Sequence, residues 1–354
     1  MRDRSLVREA VFAIPGDLAT PTGGYRYDRR VIEELGKLGW NVRVLALPGD
    51  FPSPSGVSLR KTEEMLATTS EEAPVFFDGL AFGAIPSEIL VRVPRRYVAL
   101  VHHPLAFETG LSPERVSYFQ RSERAALVHA VSVVVTSAAT RDLIVSDFGV
   151  TIECVTVAEP GTEPAPRARG SSGSPRFLSV GAISPRKGFR TLVEALAAIA
   201  ELDWDCRIAG SLDRDRGETA ALRRSITETG LEERVVLLGT LDEDRLEAEY
   251  DRATLFVLPS HFEGYGMAFA EALAHGLPVV ACSGSAAVST VPAAAGVFVP
   301  AGNAERLAAA LRHLLSNPTE IGKRSEAAWE HAKRLPRWRD TAAKIAAVLE
   351  AAAA

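Results

Sequence analysis

Cysteine is scarce in this chain, with three among 354 residues, at Cys154, Cys206 and Cys282. They are scattered through apolar, strand-like settings with no metal-ligand spacing. That excludes a disulfide framework and a thiolate metal site, and they read as reduced core residues of a cytosolic protein. No apolar run reaches the roughly 18 residues that a membrane-spanning helix needs. The start, MRDRSLVREAVFAIPG, passes from basic residues into a short strand-like run, so no signal peptide is expected. Excess positive charge is lacking too, since 40 Lys and Arg stand against 45 Asp and Glu. Nucleic acid is therefore not expected as a partner, because its footprint is a basic surface. With no basic amphipathic stripe, strong membrane attachment is not expected either, and peripheral contact at the inner membrane surface stays open. What the chain does have is a 47% hydrophobic composition and a length beyond one ordinary core. Two domains follow as the expectation.

Strand-like runs alternate with helical patterns almost throughout, the signature of doubly wound α/β domains. In the first half, strands are expected at Ala10–Ile14, Val42–Leu47, Val75–Asp78, Tyr97–Val101, Val131–Thr136 and Glu153–Val157. Helices are expected there at Gly24–Leu38, Pro113–Ala130 and Ala138–Phe148. PGTEPAPRARGSSGSP, Pro160 to Pro175, has no apolar periodicity and reads as a linker. The alternation then restarts, with strands at Phe177–Val180, Cys206–Ala209, Val235–Leu238, Leu255–Leu258, Pro278–Ala281 and Gly296–Val299. Ala-rich helical segments close the chain. The expected division is 1–160, a linker 161–175, 176–335, and a closing helix 336–354.

The most informative stretch is PSHFEGYGMAFAEALAHGLPVVA. Glu263 precedes Gly264-Tyr265-Gly266, and a short apolar helix beginning near Met267-Ala268 carries Glu271 close to its start. Glycines let a backbone approach a ligand, and a helix N-terminus presents unpaired N–H groups to an anion. A loop carboxylate can accept hydrogen bonds from sugar hydroxyls. The arrangement suits a nucleotide-sugar, with phosphate in the middle and polyols at both ends. As P-S-x-x-E-G-x-G-x-x-x-x-E-A-x-A-x-G-x-P-V-V-A, the segment from Pro259 to Ala281 resembles the donor-site signature of retaining glycosyltransferases of family 4. Its departures are Tyr265 where phenylalanine is usual and Met267-Ala268 where leucine-proline is common.

The resemblance implies a GT-B fold: two doubly wound Rossmann-like domains facing a central cleft, with a C-terminal helix crossing back to the N-terminal domain. It also gives meaning to other residues. In RFLSVGAISPRKGFRTLVEAL a strand ends at Gly181 and a loop carries Arg186 and Lys187 before a helix, beyond a strand's carboxyl end, where open α/β sheets bind ligands. By resemblance these two cations hold the donor diphosphate. Many members space the pair as R-x-x-x-x-K, whereas here the two are adjacent, which leaves open which does more. Gly210 and Ser211 resemble the turn beside the nucleobase, and Leu241 a wall of the base pocket; a plain strand-ending glycine remains an equal reading of Gly210. Gly23 and Gly24 lie between the first strand and a helix, where the family's Gly-Gly loop reaches the donor. They form no G-x-G-x-x-G fingerprint, which argues against NAD.

His102 and His103 end a core strand. His102 matches the family's histidine near the donor sugar and acceptor, and His103 and Glu108 are candidates for the acceptor. No third ligand at metal spacing accompanies the histidines and no Asp-x-Asp motif stands at a strand end, so neither a metal nor another cofactor is expected. The implied function is retaining transfer of a hexose-type sugar from a UDP- or GDP-linked donor to an acceptor hydroxyl. His102, Arg186, Lys187 and Glu263 would carry the catalysis. A sugar phosphorylase or a non-catalytic nucleotide-sugar-binding partner on the same fold are the rival readings, and the acceptor is not identified.

Overall fold

A computed structural model describes residues 8–284 and 286–354. The chain divides into two units: one runs to Gly161 and takes back Pro336–Ala354, and the other is Thr162–Leu335.

The first unit is a six-stranded, wholly parallel sheet in the order β2-β1-β3-β4-β5-β6. Its strands are β1 (Arg8–Pro15), β2 (Trp40–Leu47), β3 (Val75–Asp78), β4 (Tyr97–Val101), β5 (Ala130–Val135) and β6 (Val155–Val157). Parallel strands need crossovers that cover both faces, so central strands read as unbroken apolar runs rather than alternating ones. β3 and β4 are buried at every position. The helix Gly23–Lys37 begins at the glycine pair, where Thr22 caps it by accepting the Tyr25 N–H at 3.2 Å. Its buried face carries Tyr27, Asp28, Val31, Glu34 and Leu35, a helical stripe with two acids in it. The helices Gly56–Ala67 and Ser87–Arg92 are additional to the elements expected from sequence. β6 is shorter than expected because Ile152–Cys154 forms a 3-10 turn, and that turn leaves Cys154 exposed instead of in the core. Cys206 and Cys282 are buried, as expected.

The second unit repeats the plan, with parallel order β12-β11-β10-β7-β8-β9. Its strands are β7 (Arg176–Val180), β8 (Asp205–Ala209), β9 (Val235–Gly239), β10 (Leu255–Leu258), β11 (Val279–Cys282) and β12 (Gly296–Val299). The order reverses between β7 and β10, and in the first sheet between β1 and β3. Chains leave such a pair in opposite directions, which opens a crevice at the strands' carboxyl ends. Residues 161–175 contain no helix or strand. Part of this stretch lies along the second unit, where Ala168 and Gly170 donate to the carbonyls of His275 and Asp251 at 2.9 Å.

The helix Trp338–Ala353 belongs to the first unit. Trp338 is 4% exposed, edge-on to Tyr27 at 5.8 Å and beneath the Arg30 guanidinium at 5.6 Å. The Thr341 hydroxyl donates to the Glu159 carbonyl at 2.6 Å. A Cβ on Gly161 would fall 2.2 Å from the Trp338 nitrogen, so only glycine fits that crossing. No described helix is long and apolar enough to cross a membrane. Trp338→Ala should remove the aromatic anchor of this helix and cost roughly 3–5 kcal/mol. Urea unfolding followed by near-UV circular dichroism measures it, and an unchanged midpoint would mean the helix is held elsewhere.

Candidate active site

At the switch point of the second sheet, two loops meet. The loop after β7 runs through Gly181 to a 3-10 turn, Pro185–Lys187, that carries both cations. The loop after β10 runs from Pro259 to Gly266. They are locked together by backbone: His261 N–H donates to the Arg186 carbonyl at 2.8 Å. Gly188 has φ +68°, and a Cβ there would lie 2.2 Å from the Pro259 carbonyl oxygen. The approach therefore needs glycine.

This locking brings three of the sequence-derived site residues together. The Lys187 ammonium donates to Glu263 Oε1 at 2.7 Å, and Arg186 Nη1 lies 3.4 Å from Glu263 Oε2 while donating to the Phe262 carbonyl at 2.8 Å. Glu263 is 6% exposed. Burial alone would raise its pKa, but the Lys187 and Arg186 charges outweigh that and hold it at about 2. Gly181 lies under the aliphatic stem of Lys187, with its Cβ position 3.1 Å from Cε.

Gly266, at φ +87°, starts the helix Met267–Ala274, and a Cβ on it would strike the Phe269 ring at 2.4 Å. Tyr265 is buried, and its carbonyl accepts the Thr290 hydroxyl at 2.6 Å. Gly264, Met267 and Ala268 line the same turn, each partly exposed. The helix begins after Gly266, as expected, and Glu271 is its fifth residue, in its second turn. Its carboxylate accepts the Tyr250 hydroxyl at 3.0 Å, a partner the sequence reading did not single out. Gly210, at φ +147°, is explained by packing: a Cβ there would sit 2.0 Å from the Gly181 carbonyl oxygen. Ser211 accepts the Ile183 N–H through its carbonyl at 2.9 Å, and its hydroxyl accepts the Asp213 N–H at 3.3 Å. Leu241 follows β9, partly exposed.

The first unit gathers a different cluster at its own switch point. His102 follows β4, and its Nε2 lies 3.2 Å from Asp28 Oδ1 and 3.6 Å from Asp78 Oδ2. Asp28 is fully buried, and Asp78 is 2% exposed at the end of β3. Burial of the ring disfavours its charge, yet Asp28 first and then Asp78 overcome this and raise the His102 pKa to about 10. For Asp28 burial dominates and pushes its pKa up, against the pull of His102. The ligating atoms of these three side chains lie within 4.8 Å of one another, the one such grouping among the described residues and within reach of a divalent ion. Linear spacing beside the two histidines offered no third ligand; the fold supplies two carboxylates. Here the imidazole itself is the positive charge they face.

Gly24 stands against this ring, its Cβ position 3.4 Å from His102 Cδ2, and Gly23 is exposed on the same first turn. The glycine pair thus opens a helix instead of forming a free loop. His103 Nε2 and Glu108 Oε2 approach to 3.5 Å. The turn between them is held by Glu123, which accepts the Leu105 N–H at 2.9 Å and the Ala106 N–H at 3.4 Å. Glu123 is 2% exposed, and burial pushes its pKa up to about 8. The sequence reading passed over Asp28 and Glu123, and one signal was available for both: each is an acid on the apolar stripe of its helix.

Residues 163–334, which lie within the second unit's Thr162–Leu335, match the family model described as glycosyl transferases group 1. Over 322 residues the chain is 26% identical to an MMP alpha-(1->4)-mannosyltransferase of Mycolicibacterium hassiacum, covering 86% of this chain and 76% of that protein. It spans only 37–53% of the length of four other curated relatives. Among solved structures, a sucrose-phosphate synthase of Thermosynechococcus elongatus superposes with a TM-score of 0.83 at 22% identity, covering 97% of this chain and 98% of that one. Anabaena HepE, solved in complex with UDP-glucose, does so with a TM-score of 0.78 at 19% identity, covering 97% and 99%. The fold is that of the two-domain GT-B glycosyltransferases.

The depressed pKa of Glu263 has a consequence for stability. A carboxyl lowered from 4.5 to about 2 on folding contributes stability that is complete above the unfolded value and is lost as pH falls through the folded one. Glu263→Gln should therefore be less stable than wild type above pH 4.5, and the gap should close as pH falls toward 2. Urea unfolding of both proteins across that range is the check; a gap independent of pH would mean that the carboxylate charge is not what stabilises the loops.

Proposed function

We propose that this chain is a retaining, metal-independent glycosyltransferase of family 4 that moves a hexose-type sugar from a nucleoside-diphosphate sugar to an acceptor hydroxyl. The observation that carries the reading is the convergence of Arg186 and Lys187 on buried Glu263, beside the N-terminus of the helix that bears Glu271. Two cations share one carboxylate, so this loop pair keeps positive charge to offer an anion. The group 1 domain match over 163–334 and the UDP-glucose complex of HepE support a nucleotide-sugar donor. The mannosyltransferase relative supports glycan or glycoside biosynthesis as the setting. His103 and Glu108, whose side chains approach each other to 3.5 Å, are the candidates for binding the acceptor.

In this reading the bond from the anomeric carbon to the diphosphate oxygen breaks, and its electron pair goes to that oxygen. Arg186, Lys187 and the N–H groups following Gly266 stabilise the growing charge, as oxyanion donors do. The acceptor oxygen bonds to the anomeric carbon on the same face, and its proton passes to the leaving diphosphate. Glu263 orients the two cations and the transferred sugar. Glu271, itself oriented by Tyr250, holds the ribose.

Removing the more important of Arg186 and Lys187 should lower turnover of UDP-glucose or GDP-mannose about 10²–10³-fold. Calorimetry with UDP and GDP on the glutamate variants completes the test. Glu271→Gln should weaken binding of the nucleoside diphosphate, whereas Glu263→Gln should spare it and lower turnover, because its partner changes in the transition state. Wild-type turnover in both alanine variants would remove the donor assignment.

A chelator should leave most activity intact, since protein cations do the neutralising. Complete loss with EDTA, restored by magnesium or manganese, would overturn that part of the mechanism.

A further inference from the structure

Glu271 and His275 stand four positions apart, so they share one face at the end of the helix Met267–Ala274, a turn from each other. Both meet the same side chain. Tyr250, near the end of the helix Glu243–Arg252, donates its hydroxyl to Glu271 Oε2 at 3.0 Å. Its ring lies flat against that of His275, with centroids 4.7 Å apart and planes 7° from parallel. Tyr250 is 2% exposed and also packs on Phe256 at 6.1 Å. A buried phenol needs an acceptor for its proton, and a ring wedged between neighbours keeps that proton aimed one way. Glu271 is thereby oriented before any ligand arrives.

What holds His275 is the irregular stretch that precedes β7. Nδ1 lies 3.0 Å from the Pro166 carbonyl oxygen, and because a carbonyl has no proton to give, Nδ1 is the donor. Nε2 faces Glu247 Oε2 at 3.3 Å, and the His275 carbonyl accepts the Ala168 N–H at 2.9 Å. The same strap is pinned on either side. Arg167 donates to Glu326 at 2.8 Å, and Arg169 Nε donates to both carboxylate oxygens of Asp251, the residue after Tyr250, at 3.0 and 2.9 Å. Gly276, at φ +69°, keeps the path clear, since a Cβ there would come 3.3 Å from Arg167 Cγ. Exposed ion pairs alone would hold such a segment weakly, whereas His275, 3% exposed, gives it two buried hydrogen bonds.

We propose that Tyr250 and His275 are positioning residues that fix Glu271 for the ribose hydroxyls of the donor, and that the strap 166–170, by anchoring His275, is a working part of the nucleotide site. This rests on the nucleotide-sugar reading and deepens it by naming what sets the nucleoside end. A stretch that the sequence marks only as a connection thus has a second duty. It supports a carboxylate that it does not touch, through one hydrogen bond, one ring stack and one further hydrogen bond.

Calorimetry with UDP, GDP and their 2',3'-dideoxy counterparts is the test. In the wild-type protein the better-bound nucleoside diphosphate should lose affinity when its ribose hydroxyls are removed. Tyr250→Phe deletes one oxygen and keeps the stack. It should weaken the ribose form roughly three- to tenfold and leave the dideoxy form unchanged, because a carboxylate no longer held must be ordered on binding. His275→Phe keeps a ring against Tyr250 but gives up the bond to Pro166, and should shift the same ratio in the same direction by roughly twofold or more. Added to Glu271→Gln, Tyr250→Phe should cost nothing further. A purely structural role would weaken both forms alike. An unchanged ratio in either single variant, or additive losses in the double variant, would overturn the proposal while the donor assignment stands. Failure of the wild-type protein to bind any of the four would take down the donor reading itself, and the proposal with it.

Discussion

Everything in this molecule follows from the inability of parallel strands to be joined by a tight turn. Each strand must hand the chain to a crossover, usually a helix, that returns it to the sheet's starting edge. Both faces are thereby covered, and the loops that leave the strands' carboxyl ends are free to carry chemistry. Where strand order reverses, two of those loops diverge and a crevice opens. In the second unit these are the loops after β7 and β10, which carry Arg186, Lys187 and Glu263. In the first, the reversal lies between β1 and β3, with the Gly-Gly helix start, Asp78 and, one strand further, His102 close by.

The two units solve the same electrostatic problem with opposite signs. One carboxylate stands between two cations in the second unit, and one imidazole stands beside two carboxylates in the first. In both, the minority charge is deeply buried or fenced, and it is forced into its ionised form by its neighbours. Glu263 stays an anion down to about pH 2 and His102 stays a cation well above the usual histidine range. A site built this way needs little reorganisation when charge develops in a substrate, because its own charges are already fixed in place.

Much of this was legible because the informative residues are contiguous. The run from Pro259 to Ala281 contains its loop, its glycines, its helix and its following strand in a single segment, so the resemblance that marks its residues as donor-site candidates could be read without any long-range pairing. The strands could be read for a similar reason: burial on both faces writes them as apolar runs. What could not be read were pairings across long separations. Lys187 meets Glu263 76 residues away, and Asp28 meets His102 74 residues away. The first became readable only through a resemblance. The second left a trace in Asp28, an acid between Tyr27 and Val31 on a stripe that is otherwise apolar apart from the part-neutralised Glu34. Boundaries drifted where short 3-10 turns replaced strand, as at Ile152–Cys154, because such turns have no periodicity to detect.

The crossing of Gly161 and Trp338 bears on how the polypeptide matures. The first unit is discontinuous: its sheet is made from early residues, yet one covering helix comes from residues 338–353. During synthesis the second unit, continuous from Thr162 to Leu335, has all its parts before the first unit does. Until the late helix emerges, Tyr27 and the face around it stay uncovered, a nascent surface within reach of chaperones. The order of completion is thus the reverse of the order of the sheets along the chain.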